Sequence, residues 1–153
     1  MRIYLPMTVA DLADPDGVRP SAAHAVTREL AAALPGEDEE GLEFAALLAA
    51  ADASVGLLSA DPSVPSRRVV VVADVSGVPS AARAGGLPSE VEPPAAVPWD
   101  QVVSLHVDDG DAESDVAAAA AGDEEALERA AERDLLWFDV SELDDLRRLR
   151  GQS

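Results

Sequence analysis

RRVVVVADV, residues 67–75, decides the fold. Its unbroken run of valines shows no polar alternation, so it reads as an interior strand covered on both faces. Such a strand needs neighbours in a sheet and a layer over each side. The rest of the chain has to supply both.

Downstream, WDQVVSLHVDD (99–109) alternates, with Val103, Leu105 and Val107 on one face and Val102, Ser104 and His106 on the other. At the start, RIYLPM (2–7) places Ile3 and Leu5 on one face and Arg2, Tyr4 and Pro6 on the other. Near the end, LLWFDV (135–140) sets Leu136, Phe138 and Val140 against Leu135, Trp137 and Asp139. AHAVT (23–27) is a short additional strand.

Helices fill the gaps. Thr8 begins TVADL, a hydroxyl-x-x-acid cap, and the DPDGVRP stretch (14–20) stops the helix that follows. Thr27 caps RELAAAL. The strongest helix runs from Glu40 to Ala60, with Leu42, Ala45, Ala46, Ala49, Ala53, Gly56 and Leu57 at helical spacing. Residues 111–133 are helical with a break at Gly122, and SELDDLRRLR (141–150) is a short C-terminal helix capped by Ser141. Residues 76–98, rich in Pro, Gly and Ala, predict a long irregular exposed loop.

This order predicts one α+β domain over 1–153: a ferredoxin-like βαββαβ sandwich with AHAVT as an extra strand. Helices 40–60 and 111–133 are expected on the face of Ile3, Leu5, Leu136 and Phe138. Tyr4, His106 and Trp137 then share the opposite, open face.

The composition narrows the functions. The net charge is −19, from 30 acidic and 11 basic residues, and every basic residue is Arg. No Arg stripe offers counterion release to a phosphate backbone, so neither nucleic acid nor an anionic membrane is an expected partner. The absence of cysteine excludes disulfides, thiolate nucleophiles and thiolate zinc sites. The N-terminal segment lacks the apolar core of a secretory signal, and no apolar stretch reads as a membrane span, so a cytoplasmic protein is expected.

Candidate chemistry centres on SLHVDDGDAESD (104–115), with five carboxylates and one histidine in twelve positions. It does not fit an EF-hand loop: Gly110 in the required place puts Leu105, Val107 and Val116 where ligands belong. His106 with Asp108 is an incomplete metal set, and neither metal nor cofactor is expected. Asp108, Asp109 and Asp111 suit a β-to-α corner, where carboxylates cap a helix. A small hydrolase or metal-assisted enzyme would have to draw on His106, Asp108 and Asp139. Arg67–Arg68 could hold an anion or simply open a strand. No nucleophile elbow, P-loop or dinucleotide fingerprint is present.

Three segments carry a resemblance: RIYLP at the start, LHVDD ahead of an Ala-rich helix, and DLLWF near the end. Together they resemble a family of small acidic proteins from GC-rich bacteria, a domain of unknown function. The resemblance implies no activity, substrate or catalytic residue. The functional expectation therefore rests on the aromatics. Tyr4, His106 and Trp137 on an open sheet face point to a binding or regulatory module whose partner is itself or another protein. A fold-back of the C-terminal helix or the 76–98 segment over these rings is the competing expectation.

Overall fold

The computed structural model describes residues 1–78 and 80–151; Pro79, within the 76–98 segment, lies outside them, as do the last two residues. The chain forms an α+β fold. Its strands are β1 (Arg2–Met7), β2 (Gly17–Val18), β3 (Ala23–His24), β4 (Val69–Asp74), β5 (Glu90–Val91), β6 (Val97–Pro98), β7 (Val102–Val107) and β8 (Leu136–Asp139). Its helices are α1 (Arg28–Ala33), α2 (Glu39–Ala60), α3 (Glu113–Ala120), α4 (Glu124–Ala131) and α5 (Leu143–Arg147). TVADL does not make a full helix. It gives one tight turn, Val9–Ala13, closed by the Asp11 carboxylate accepting from the Thr8 N–H at 2.8 Å.

Six strands form one antiparallel sheet in the order β5-β3-β1-β4-β7-β8, and β2 pairs with β6 in a separate ribbon. This order corrects the ferredoxin-like expectation, in which the first and third main strands are neighbours. Here β1, β4, β7 and β8 lie side by side in chain order. The reason is the number of passes between strands. A single helical return makes parallel strands. Between β1 and β4 the chain passes twice, down along β3 and back along α2, so Met7 ends beside Val69 and the strands are antiparallel. Between β7 and β8, Gly122 (φ +104°) folds α3 and α4 into a hairpin that returns the chain to the same end, with Val107 opposite Leu136.

The faces are also exchanged. α2 packs on Tyr4, Val70 and Val72, not on Ile3 and Leu5. The Ile3, Leu5, Val69, Val71, Leu105 and Val107 face is closed by the 9–13 turn, the β2–β6 ribbon, Trp99 and α5. Arg147 clamps that layer: its Nε donates to the Leu12 carbonyl at 2.6 Å, and its guanidinium lies 5.6 Å from the Trp99 ring centre. β4 is buried on both faces, with Val69, Val70 and Val71 at 0% and Val72 at 3% exposure. A bulge between the Val72 and Ala73 pairings shifts β7, so Val102 rather than Val103 joins Leu105 and Val107 in the core.

α3 and α4 do not lie on the sheet. They pack on the C-terminal half of α2, where Val55 and Leu58 meet Ala112, Val116, Ala119, Ala126 and Ala130. By length and composition α2 is long and apolar enough to cross a membrane, which corrects the reading that no stretch is. In this fold its apolar side packs on the sheet and on α3. Ser54 joins α2 to the sheet, its hydroxyl donating to the Met7 carbonyl (2.7 Å) and accepting from the Val69 N–H (3.1 Å).

Within 76–98, β5 and β6 form, and Ser89, Val91 and Val97 are buried. The buried His24 ring meets the Ser89 hydroxyl at 2.8 Å, and the Thr27 hydroxyl donates to the Pro88 carbonyl, so this part of the segment is tied to the sheet edge.

Candidate functional site

Four of the five carboxylates of 104–115, Asp108, Asp109, Glu113 and Asp115, hold structural partners. Asp108 is fully buried and ends β7 against Arg68, which precedes β4. Its Oδ2 accepts from the Arg68 backbone N–H and Nε, both at 2.8 Å, and its Oδ1 accepts from Nη2 at 2.8 Å. Both residues are almost wholly excluded from solvent. Glu113 pairs with Arg67 at 3.0 Å, and Asp109 caps the following turn by accepting from the Asp111 N–H at 3.0 Å. Asp115 takes both Arg129 and Arg133, which hold its carboxyl below the usual carboxylate range. The Arg67–Arg68 pair is thus occupied by the same corner.

His106, Asp108 and Asp139 have separate tasks. Asp139, not Ser141, caps the C-terminal helical segment: it accepts from the Ser141 N–H, while Glu142 accepts from the Asp139 N–H, each at 2.9 Å. Hydrogen bonding to Ser141 keeps the Asp139 carboxyl low. His106 points to the α2 side, paired with Val70 on one strand and Trp137 on the other. Burial lowers its pKa from the ordinary 6.5. Among the described residues, no three His, Asp or Glu side chains are grouped to hold a metal.

The aromatic set is divided. Tyr4 lies beneath α2 at 5% exposure, and burial, with Glu43 nearby, pushes its phenol up to about 12. Two strands separate it from β8: Tyr4 pairs with Val72, Val72 with Ser104, and Ser104 with Asp139. Trp137 is 60% exposed on the outermost strand. Three adjoining hollows of about 420, 270 and 240 Å³ link these residues into one groove between α2 and β8. Tyr4, Val72, Ser104 and His106 line it from the sheet, and Glu43, Phe44 and Leu47 from α2.

Phe44, 52% exposed, was absent from the sequence reading. The signal was present: Leu42 and Ala46 lie on the buried stripe of α2, which leaves a large apolar ring between them with nothing of its own to cover it. Leu136 is 45% exposed on the other face of β8.

Residues 1–146 match the family model described as a family of unknown function, DUF6912. The chain belongs to the DUF6912 family. The match runs from β1 into α5 and so includes the groove and β8. It meets the expectation of a family without an assigned function and says nothing about acidity or a GC-rich source. No curated protein and no solved structure matches this DUF6912 chain.

Proposed function

We propose that the protein is a binding or regulatory module that acts by associating with a protein chain at the β8 edge. The observation that carries this reading is Trp137, 60% exposed on an outermost strand beside Phe44, which is 52% exposed. A large ring on an open edge is the kind of anchor that carries interface energy. The acidic surface supports a protein partner over nucleic acid or an anionic bilayer. Of the cations near the groove, Arg2 is bonded to Asp74 and Arg133 to Asp115. The reading places the protein in the cytoplasm.

The test is photo-crosslinking in cells with a photoreactive side chain at position 137 and, as control, at Ala32 on α1. Adducts to an identified protein chain, its own or another, from 137 alone support association. Only uncrosslinked chain from both positions would remove it.

A further inference from the structure

Tyr4 and Ser104 are each 5% exposed, and neither hydroxyl is hydrogen-bonded to any described residue. Buried hydroxyls nearly always have a partner, so two without one on the same sheet face call for an explanation. Among the described residues no fully enclosed side-chain nitrogen or oxygen lacks a partner, so both oxygens reach open space. The open space that both residues line is the middle hollow of the groove, about 270 Å³, between α2 and β8. His106 lines the same hollow, and its ring nitrogens also bond to no described residue. The sheet thus presents three polar groups to one concavity, with Tyr4 and Ser104 on either side of Val72.

The walls decide which ligand suits them. Phe44 comes from α2 and Trp137 from β8, each with its ring uncovered. Glu40 and Glu43 close the α2 side, and neither carboxylate pairs with a described cation. Glu43 is close enough to Tyr4 for its charge to help raise the phenol's pKa. Arg2 also lines this hollow, but Asp74 holds it at 3.0 Å. Burial keeps the His106 ring below its ordinary 6.5, so it adds no positive charge at neutral pH. An anionic ligand would meet two like charges here. A cation meets opposite charge focused between apolar walls, and aromatic faces favour it as well.

We propose that the groove binds a small organic cation, with an aromatic body between Phe44 and Trp137 and one ammonium group against Glu43 and Tyr4. The ammonium N–H groups donate to the Glu43 carboxylate and to the Tyr4 oxygen. Ser104 and His106 lie on the floor, where they bond a polar substituent on the ring. The small hollow suits a ligand of one ring. This site is separate from protein association at the β8 edge. Both use Trp137, but the ligand needs Glu43 and the groove floor, and the crosslinking outcome does not bear on it.

The experiment is an NMR titration of the full chain at neutral pH and constant ionic strength. It follows the indole N–H signals of Trp99 and Trp137, assigned with Trp137→Phe. The probes are 2-phenylethylamine, its neutral counterpart 2-phenylethanol, its anionic counterpart phenylacetate, and n-butylamine, an ammonium without a ring. The expected result is saturable movement of the Trp137 signal with 2-phenylethylamine in the millimolar range or below. The Trp99 signal should stay still, because Trp99 packs on the other face of the sheet. 2-Phenylethanol and n-butylamine should bind about tenfold more weakly, and phenylacetate not at all.

Glu43→Gln should weaken 2-phenylethylamine by about tenfold and leave 2-phenylethanol unchanged. Tyr4→Phe should weaken the amine by about fivefold. The whole chain carries −19 and attracts any cation weakly, so Glu128→Gln, on the exposed side of α4, removes the same charge elsewhere and should change nothing. Unchanged melting temperatures would show that the variants remain folded.

No saturable shift with 2-phenylethylamine overturns the proposal. So does phenylacetate binding as tightly as the amine, which would make charge irrelevant, or n-butylamine binding as tightly, which would make the aromatic walls irrelevant. An unchanged affinity in Tyr4→Phe overturns it too, since the buried hydroxyl would then have no ligand. Equal effects of Glu43→Gln and Glu128→Gln, whether a loss or none, would mean that the acidic surface as a whole draws the amine, and the site would fall.

Discussion

Arg68 and Asp108 close the junction of β4 and β7 with a two-pronged ion pair, and the same carboxylate also accepts the Arg68 backbone N–H. The backbone adds a further bond, from the Asp108 N–H to the Arg68 carbonyl at 3.1 Å. Arg68 also donates to the Arg133 carbonyl at 3.3 Å, which joins the end of the α3–α4 hairpin to the sheet. The pair thus fixes where β4, β7 and the segment entering β8 meet.

Removing one partner strands a buried charge. Asp108→Ala should cost roughly 3–5 kcal/mol in denaturant unfolding. Replacing both, with Arg68→Met and Asp108→Leu, should recover most of that loss, because the desolvation cost of both ions disappears as well. A double variant as unstable as Asp108→Ala would show that backbone anchoring, not charge, is the main contribution.

Ser54 satisfies two strand-end backbone groups from a helix. Ser54→Ala leaves the Met7 carbonyl and the Val69 N–H without that partner in a buried place. The expected cost is roughly 2 kcal/mol or more. Ser59→Ala on the exposed part of α2 serves as the comparison, and equal effects would remove the special role of Ser54.

Tyr4 is the chain's one tyrosine, so its ionisation can be followed without interference from another phenol. Absorbance titration should give a midpoint near 12 rather than the ordinary 10.0, since the phenolate would form beneath α2 and near Glu43. A midpoint at 10.0 in the folded chain would mean that α2 does not cover the ring.

Burial lowers the pKa of both histidines below 6.5. In the window below 6.5 and above the lowered folded values, the unfolded chain binds more protons than the folded one. Their contribution to stability is therefore full above 6.5 and falls as pH drops through that window. Denaturant unfolding at about pH 7.5 and 5.5 should show a smaller pH difference for a His24→Leu/His106→Leu variant than for the parent. Comparing the two slopes cancels the background from the 30 acidic residues. Equal slopes would place both rings in water.

The local elements were legible because they rest on local physics. The valine run gave an interior strand, helical spacing gave α2 to within a residue at its start, Thr27 capped α1, and Gly122 broke the α3–α4 pair. The candidate site was legible only in part. Trp137 stood out as a large ring on the alternating face of a strand, but Tyr4 carried the same pattern and proved buried.

What the sequence could not decide was side and order. β1 and β4 are apolar on both faces, so alternation separates two sets of residues without saying which set meets α2. That choice depends on where α2 and α5 dock, a matter of long-range packing. Strand order turned on one additional pass of the chain along β3, two residues long, which reversed the sense of everything after it. The pairings of Arg68 with Asp108 and of Ser54 with Met7 and Val69 join residues 40, 47 and 15 positions apart. The sequence by itself determined the main strands and helices, though not the short strands β2, β5 and β6, and an uncharged LLWF in an acidic chain. The tertiary structure alone decided that LLWF lies on an open edge, because only the packing shows which strand is left without a neighbour.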